Sequence, residues 1–303
     1  MAANNPPVKH HYTPQFLLAQ WAVTDRKLWR FSRPYGDKIA VKQVSTAEIG
    51  YQPHLYALPG VSPEKMQIFE EKFMSPLDAQ AAETHSLLLK GKIQGMPQKQ
   101  RSAWSRFIMS QWFRTPEGVT AFKSAMTHLL TQPDSELRIR YREEWKEGMP
   151  ATLEELLVRS TPHIVEQKAL ELMFTMMDNP QHGLSLNRMH WLIRETEGGR
   201  EFLVSDALLQ QSQGVFTPTG FITMPIASRK LFIAVNSRSL RDSFLTLSRN
   251  ELVARANRAV VRRASEYVGT TDLSQRPFIE REFGKEVNET IFKGIAARYA
   301  TGA

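Results

Sequence analysis

The stretch that decides the fold is Lys27-Leu28-Trp29-Arg30-Phe31-Ser32-Arg33, then Pro34-Tyr35-Gly36-Asp37, then Lys38-Ile39-Ala40-Val41-Lys42-Gln43-Val44. Its two flanks have the β-branched and aromatic content of short strands, and the Pro- and Gly-bearing tetrapeptide reads as a four-residue turn, so the whole is a hairpin. A lone hairpin is marginal in water and needs further strands. The next strand-like runs are Arg188–Thr196, Glu201–Ser205, Gly220–Ala227 and Lys230–Asn236. Glu197-Gly198-Gly199-Arg200 and Ala227-Ser228-Arg229 read as their hairpin connections, and Pro225 marks an edge or a bulge. Packing the first hairpin beside this later meander is the economical solution, and it predicts an α+β fold with a small antiparallel sheet.

The chain between these β regions reads as a large helical insert, about residues 62–178. Met66, Phe69, Phe73 and Leu77 recur at helical spacing, with Ser75-Pro76 breaking or kinking the run, and Leu77–Lys90 continues it. In Arg101–Phe113 the side chains of Trp104, Phe107, Ile108, Met109 and Trp112 cover one broad face; Thr115-Pro116 ends the helix. Glu117–Glu147 is helical with an interruption at Thr131–Asp134, and Thr152–Met177 is broken at Pro162. After the meander, Ser239–Val268 returns to helix and Phe278–Tyr299 forms a last helical segment broken near Gly284. Residues 9–268 are therefore expected as one α+β domain, with 269–303 as a C-terminal helical extension.

Composition excludes several chemistries. The 303 residues contain no cysteine, which removes disulfides, thiolate nucleophiles and Cys-ligated zinc. No P-loop, GxGxxG turn, GxSxG elbow or HExxH helix occurs, which argues against common NTPases, dinucleotide folds, α/β-hydrolases and zinc proteases. Met1–Val8 is polar and Pro-rich, unlike a secretory signal, and no apolar run reaches the ~20 residues of a membrane helix. A soluble cytoplasmic protein is expected, without membrane contact and of open oligomeric state. The net charge is +8, and Arg229–Arg263 carries nine basic residues against two acidic ones, or +7. Such a field attracts polyanions, so a nucleic acid or nucleotide is the expected partner, set against the plainer reading of a solvated helix face.

The most unusual residues lie at the start: His10-His11-Tyr12-Thr13-Pro14-Gln15-Phe16-Leu17-Leu18. Together with LWRFSR, Arg114-Thr115-Pro116, Ser205-Asp206 and Ile233-Ala234-Val235-Asn236, in that order, they resemble the family known as domain of unknown function 4238, over roughly residues 9–268. Where that family tends to have Pro two places after the Asp, this chain has Leu208. The resemblance implies no established activity, only a setting like that of bacterial defence and toxin genes.

Four residues form the candidate catalytic set: His10, His11, Arg114 and Asp206. Histidine can exchange protons near neutrality, an Asp bonded to one ring nitrogen would orient the other, and an Arg fork matches phosphate oxygens. Base, orienter and anion clamp would suit phosphodiester cleavage or nucleotide processing. Tyr12, Arg255, Arg258 and Arg262 are the candidate substrate-binding residues, the three arginines forming one stripe of a helix. A divalent metal on His10 or His11 with Asp206 is a weaker option, and Glu70, Glu71 and Glu83 are further acidic candidates. Each has a structural counterpart: a strand points adjacent histidines apart, Arg114 can offset a helix dipole, and Asp206 can close an Asx turn. The alternative is a non-catalytic module in which the histidines clasp the N-terminus, Tyr12, Pro14 and Phe16 plug the core, and the arginines meet nucleic acid or an acidic protein.

Overall fold

The computed structural model describes residues 8–131, 135–159 and 162–287. It opens with a short strand β1 (Lys9–His11) and one helical turn α1 (Gln15–Leu18), followed by the hairpin β2 (Lys27–Tyr35) and β3 (Lys38–Ser45), then β4 (Tyr51–Pro53). The helical region comprises α2 (Pro63–Met66), α3 (Ser75–Leu89), α4 (Gln98–Gln111), α5 (Pro116–Thr131), α6 (Ser135–Glu144), α7 (Leu153–Arg159), α8 (Pro162–Met177) and α9 (Pro180–Arg188). The later half contains β5 (His190–Glu195), β6 (Val204–Ser205), β7 (Gln210–Gln211), β8 (Phe221–Ala227), β9 (Lys230–Val235), α10 (Arg238–Thr246), α11 (Arg249–Arg262), β10 (Tyr267–Thr270) and α12 (Arg276–Glu282). The fold class is α+β, with small antiparallel sheets and many helices.

The hairpin does find partners late in the chain, but of the expected runs only Glu201–Ser205 enters its sheet. Its sheet has the order β3-β2-β10-β6, and the meander forms a separate sheet, β5-β9-β8-β7. The strand beside β2 comes from Tyr-Val-Gly-Thr at 267–270, which the sequence reading had absorbed into a helix ending at Val268. Glu201–Ser205 contributes only Val204 and Ser205 as strand, and these join β10 rather than the meander. Gly269 allows this packing: a Cβ there would lie 2.7 Å from Val204 Cγ1 and 2.9 Å from Leu28 Cδ1. The hairpin turn is Gly36-Asp37 alone, because Pro34 and Tyr35 lie within β2, past a register shift, and Gly36 takes the positive φ of +64°.

Ser239–Val268 is two helices and a strand rather than one helix. Helix α11 starts at Ser248, whose Oγ accepts from Glu251 N at 3.3 Å while Glu251 Oε2 accepts from Ser248 N at 3.1 Å. Its apolar residues reach two small cores. Leu252, Val253 and Ala256 bury with Leu192, Leu231 and Ile233 of the meander, and Val260 and Val261 bury with Phe31 and Val268 of the hairpin sheet. Residues 269–283 are part of the same body, since Ile279 and Phe283 are buried in that second cluster. Those of the expected extension beyond 287 lie outside the described residues, as do residues 132–134 of the expected α5–α6 interruption.

The remaining core is shared by N-terminus, insert and meander. Tyr12, Trp21, Leu77, Trp104, Met224 and Phe232 belong to one buried cluster. His85 of α3 bonds the Ile226 carbonyl in β8 at 2.7 Å, and Trp104 stacks on the His85 ring and meets Phe232 edge-on. Besides the single turn α1, the sequence does not anticipate α9, whose N-cap Asn179 accepts from Gln181 N and His182 N, with Pro180 at its first position.

Candidate functional site

The opening motif is built into β1, which pairs with β4 in the register His10↔Gln52 and His11↔Tyr51. The strand alternation sends the two imidazoles to different surroundings. His10 is fully buried; its Nδ1 accepts from Tyr56 N at 2.9 Å and its ring stacks on that of Tyr56 at 5.4 Å. His11 is half-buried beside Tyr51, with ring centroids 5.6 Å apart, and its Nε2 is buried without a partner. Burial, helped by the positive charges of Arg114 and Lys9, lowers its pKa to about 4, so it is a neutral ring at neutral pH.

Arg114 joins this segment, but not as an anion clamp. Its side chain is fully buried at the end of α4, where Nη1 and Nη2 grip Asp78 Oδ1 and Oδ2 at 2.8 and 2.9 Å, and Nη2 also donates to the His11 carbonyl at 2.9 Å. Tyr56 closes the knot by donating its hydroxyl to the Arg114 carbonyl at 2.7 Å. Burial works against the guanidinium charge, and Asp78 outweighs it, holding the pKa above its ordinary value. Beside the pair, a π-helical turn at Glu70–Met74 carries Glu70, whose Oε2 is buried without a partner. Burial raises that carboxyl to about 7, with Arg114 opposing and Asp78 reinforcing the shift.

Asp206 is not the orienter of either histidine. Both its oxygens are occupied elsewhere: Oδ2 accepts from Ser265 N at 2.9 Å and Ser265 Oγ at 2.8 Å, and Oδ1 from Glu266 N at 3.1 Å and Tyr267 N at 3.0 Å. Burial pushes its carboxyl up while these four donors pull it back. It therefore fixes the turn that leads from α11 into β10. The expected His–Asp–Arg constellation becomes two separate structures: a knot of His10, His11, Tyr56, Asp78 and Arg114, and a turn pinned by Asp206. Among the described residues no group of three or more His, Asp or Glu side chains is placed to hold a metal ion, so the His–Asp metal set is not assembled.

Tyr12 is where the two structures approach. Its buried ring lies 6.4 Å from that of Tyr267, and burial followed by the nearby Tyr267 and Asp206 keeps its phenol protonated. These residues border a polar pocket of about 500 Å³, walled by Tyr12, Tyr51, Ser265, Glu266 and Tyr267 and, from β2, by Arg30, Ser32 and Arg33. Arg33 is tied down, donating to the Phe283 carbonyl at 2.8 Å and lying over its ring. Arg30 makes no ion pair among the described residues, and its Nε is buried without a hydrogen-bond partner. Glu266 has its pKa raised, by burial first and then by Asp206 and Glu117. Gly50 makes room at the rim, because at φ +69° a Cβ would meet Thr13 Cβ at 2.9 Å.

The sequence reading missed Tyr56, Asp78, Arg30 and Glu266. Only Arg30 left a signal: it shares with Leu28 and Ser32 the alternation that faces one side of β2. The arginine stripe is also weaker than its charge suggested. Arg262 pairs with Glu282 at 2.7 Å and Glu286 at 2.6 Å, and Arg229, Lys230 and Arg249 meet Glu201, Glu195 and Glu197. Arg255 and Arg258 remain exposed without an ion pair among the described residues.

No helix of the described residues is long and apolar enough to cross a membrane. No curated protein and no solved structure matches the chain. A family model does match, over residues 9–273, spanning β1, the insert, both sheets and the turn held by Asp206. The chain thus belongs to the family described as protein of unknown function DUF4238.

Proposed function

We propose that the protein is a cytoplasmic enzyme that cleaves phosphodiesters or processes nucleotides, and that its reaction surface is the polar pocket between β2, β4 and the Asp206-held turn. One observation carries this reading: a half-buried guanidinium without a carboxylate partner, Arg30, shares a pocket with Glu266 and the motif residue Tyr12. Arg30 supplies a planar fork for phosphate oxygens. Tyr12 and Tyr51 contribute phenol groups to the wall of the same pocket. Glu266, its carboxyl shifted toward neutrality, serves as general acid or base, and Asp206 positions it through the backbone of the turn. His10 and Arg114 act as framework, and His11 as a neutral acceptor at its edge. The bacterial defence or toxin setting implied by the resemblance belongs to the same proposal.

The test is turnover of labelled RNA, DNA and free nucleotides by the wild type, Glu266→Gln and Arg30→Gln. Loss of about 100-fold in turnover is expected for Glu266→Gln, and a rise of about tenfold in KM for Arg30→Gln, the worth of one charge-assisted hydrogen bond. Unchanged turnover in both folded variants would end the proposal.

A second reading, a non-catalytic nucleic-acid-binding or protein-interaction module, draws on a different observation. Arg114 and Asp206 spend their polar contacts inside the fold, whereas Arg255 and Arg258 face solvent. Salt-sensitive binding without turnover, weakened by charge reversal at Arg255 and Arg258, is its signature.

A further inference from the structure

Helix α10 lies over the meander sheet without burying a single residue completely. It is fastened at its ends by polar contacts. Ser237 Oγ accepts from Leu240 N at 3.3 Å at its start, and Arg194 of β5 donates to the carbonyls of Phe244, Leu245 and Leu247 at its close. Between these fastenings the apolar side chains Leu240, Phe244 and Leu247 are only half-buried, and Phe244 touches the sheet through an edge-on contact with Phe221, centroids 5.5 Å apart. Under them is a pocket of about 420 Å³ that reaches Leu231 of β9 and Leu252 of α11.

An open apolar pocket of this size is unlike a protein interior, where side chains pack closely and leave few voids larger than a water molecule. Its volume falls within the range of small-molecule sites. The charge at its rim narrows the occupant. No carboxylate lines the pocket, whereas Arg255 does, exposed and without an ion pair or hydrogen bond among the described residues. The second lining guanidinium, Arg263, is held by Gln210 Oε1 at 2.6 Å. An apolar slot with a cation at its mouth that forms no salt bridge among the described residues, its nearest interacting carboxylate being Glu251 outside the lining, complements a molecule with an apolar chain and a single anionic head. A nucleic acid bound on Arg255 would leave the slot unfilled.

We propose that this pocket binds a medium-chain alkyl carboxylic acid, its chain lying under α10 and its carboxylate on Arg255. The site is separate from the polar pocket and does not rest on the function proposed there. Calorimetric titration with decanoate and decanol, below the concentrations at which they aggregate, tests it. The wild type is expected to bind one decanoate, with decanol at least about tenfold weaker because it lacks the charge-assisted contact. Arg255→Gln should bring the two ligands to the same affinity. Ala259→Trp, which fills the slot from α11, should abolish binding of both, and Ser243→Trp does the same from α10 if the first variant fails to fold. Equal affinity for decanoate and decanol in the wild type, or binding that survives the tryptophan in a cooperatively folded variant, would overturn the proposal. So would a wild type that binds neither ligand.

Discussion

Two arginines of this chain make opposite use of the same chemical group. Arg114 is fully buried and spends its terminal nitrogens on Asp78 and the His11 carbonyl. Arg30 is half-buried on a strand face, without an ion pair among the described residues and with a pocket in front of it; a buried, unpartnered Nε is common to both arginines. A guanidinium whose terminal nitrogens are matched by fixed acceptors is part of the frame, and removing it strands the acceptors. One with unmatched donors next to open space costs the fold little and is available to an anion. The candidate catalytic residue Arg114 falls on the structural side of this divide, and Arg30, which the sequence offered only as part of LWRFSR, on the other.

The comparison can be broken at its strongest point first. Arg114→Met leaves Asp78 and the His11 carbonyl without their donors, and a loss of about 3–5 kcal/mol is expected by urea denaturation. A loss under about 1 kcal/mol, within the range of a surface substitution, would mean that Arg114 is not framework. Asp206→Asn is the next largest. An amide replaces one accepting oxygen by donors that face the donors of Ser265, so about 2–3 kcal/mol should be lost, with faster hydrogen exchange in the 265–267 turn.

His11 and Glu70 sharpen the picture through pH. The folded pKa of His11 is depressed to about 4, so its stabilising influence is present above pH 6.5 and is lost as pH falls toward 4. His11→Gln should flatten that acid limb by about 1–2 kcal/mol, after discounting for partial exposure. Glu70 acts in the other direction: its folded pKa is raised to about 7, so its contribution is full below pH 4.5 and is lost as pH rises through 7. Glu70→Gln should therefore gain stability above pH 7 by about 1 kcal/mol, read from denaturation midpoints across that interval. The smallest effect belongs to Arg30→Gln, whose stability should match the wild type within about 0.5 kcal/mol while ligand binding suffers. A large destabilisation there would erase the contrast with Arg114.

The parts of the fold legible in sequence were those set by local rules. Prolines 116 and 162 start α5 and α8, the Trp104–Phe107 face of α4 is core, and the Lys27–Val44 hairpin is real. Strand β10 was hidden because its four residues come just one short turn after an amphipathic helix, and their strand character comes from lying between β2 and β6. α9 was hidden by its Gly183 and polar residues, although Asn179-Pro180 marked its start. For the site, the opening motif was visible as a place where something converges. Its partners Tyr56 and Asp78 were not, because the contacts joining them depend on how β1, α3 and α4 are packed, not on spacing. Asp206 was noticed for its chemistry, and nothing local showed that the backbone of 265–267 would consume it.

Helix α11 has a practical consequence for experiment. A rod of 14 residues is about 21 Å long; here Leu252, Arg255, Ala256 and Ala259 border the slot under α10 along most of that length, while its end runs into the turn carrying Glu266. A phenotype from any change along that rod therefore has two candidate origins, and each such variant has to be assayed at both pockets before its effect is assigned to either.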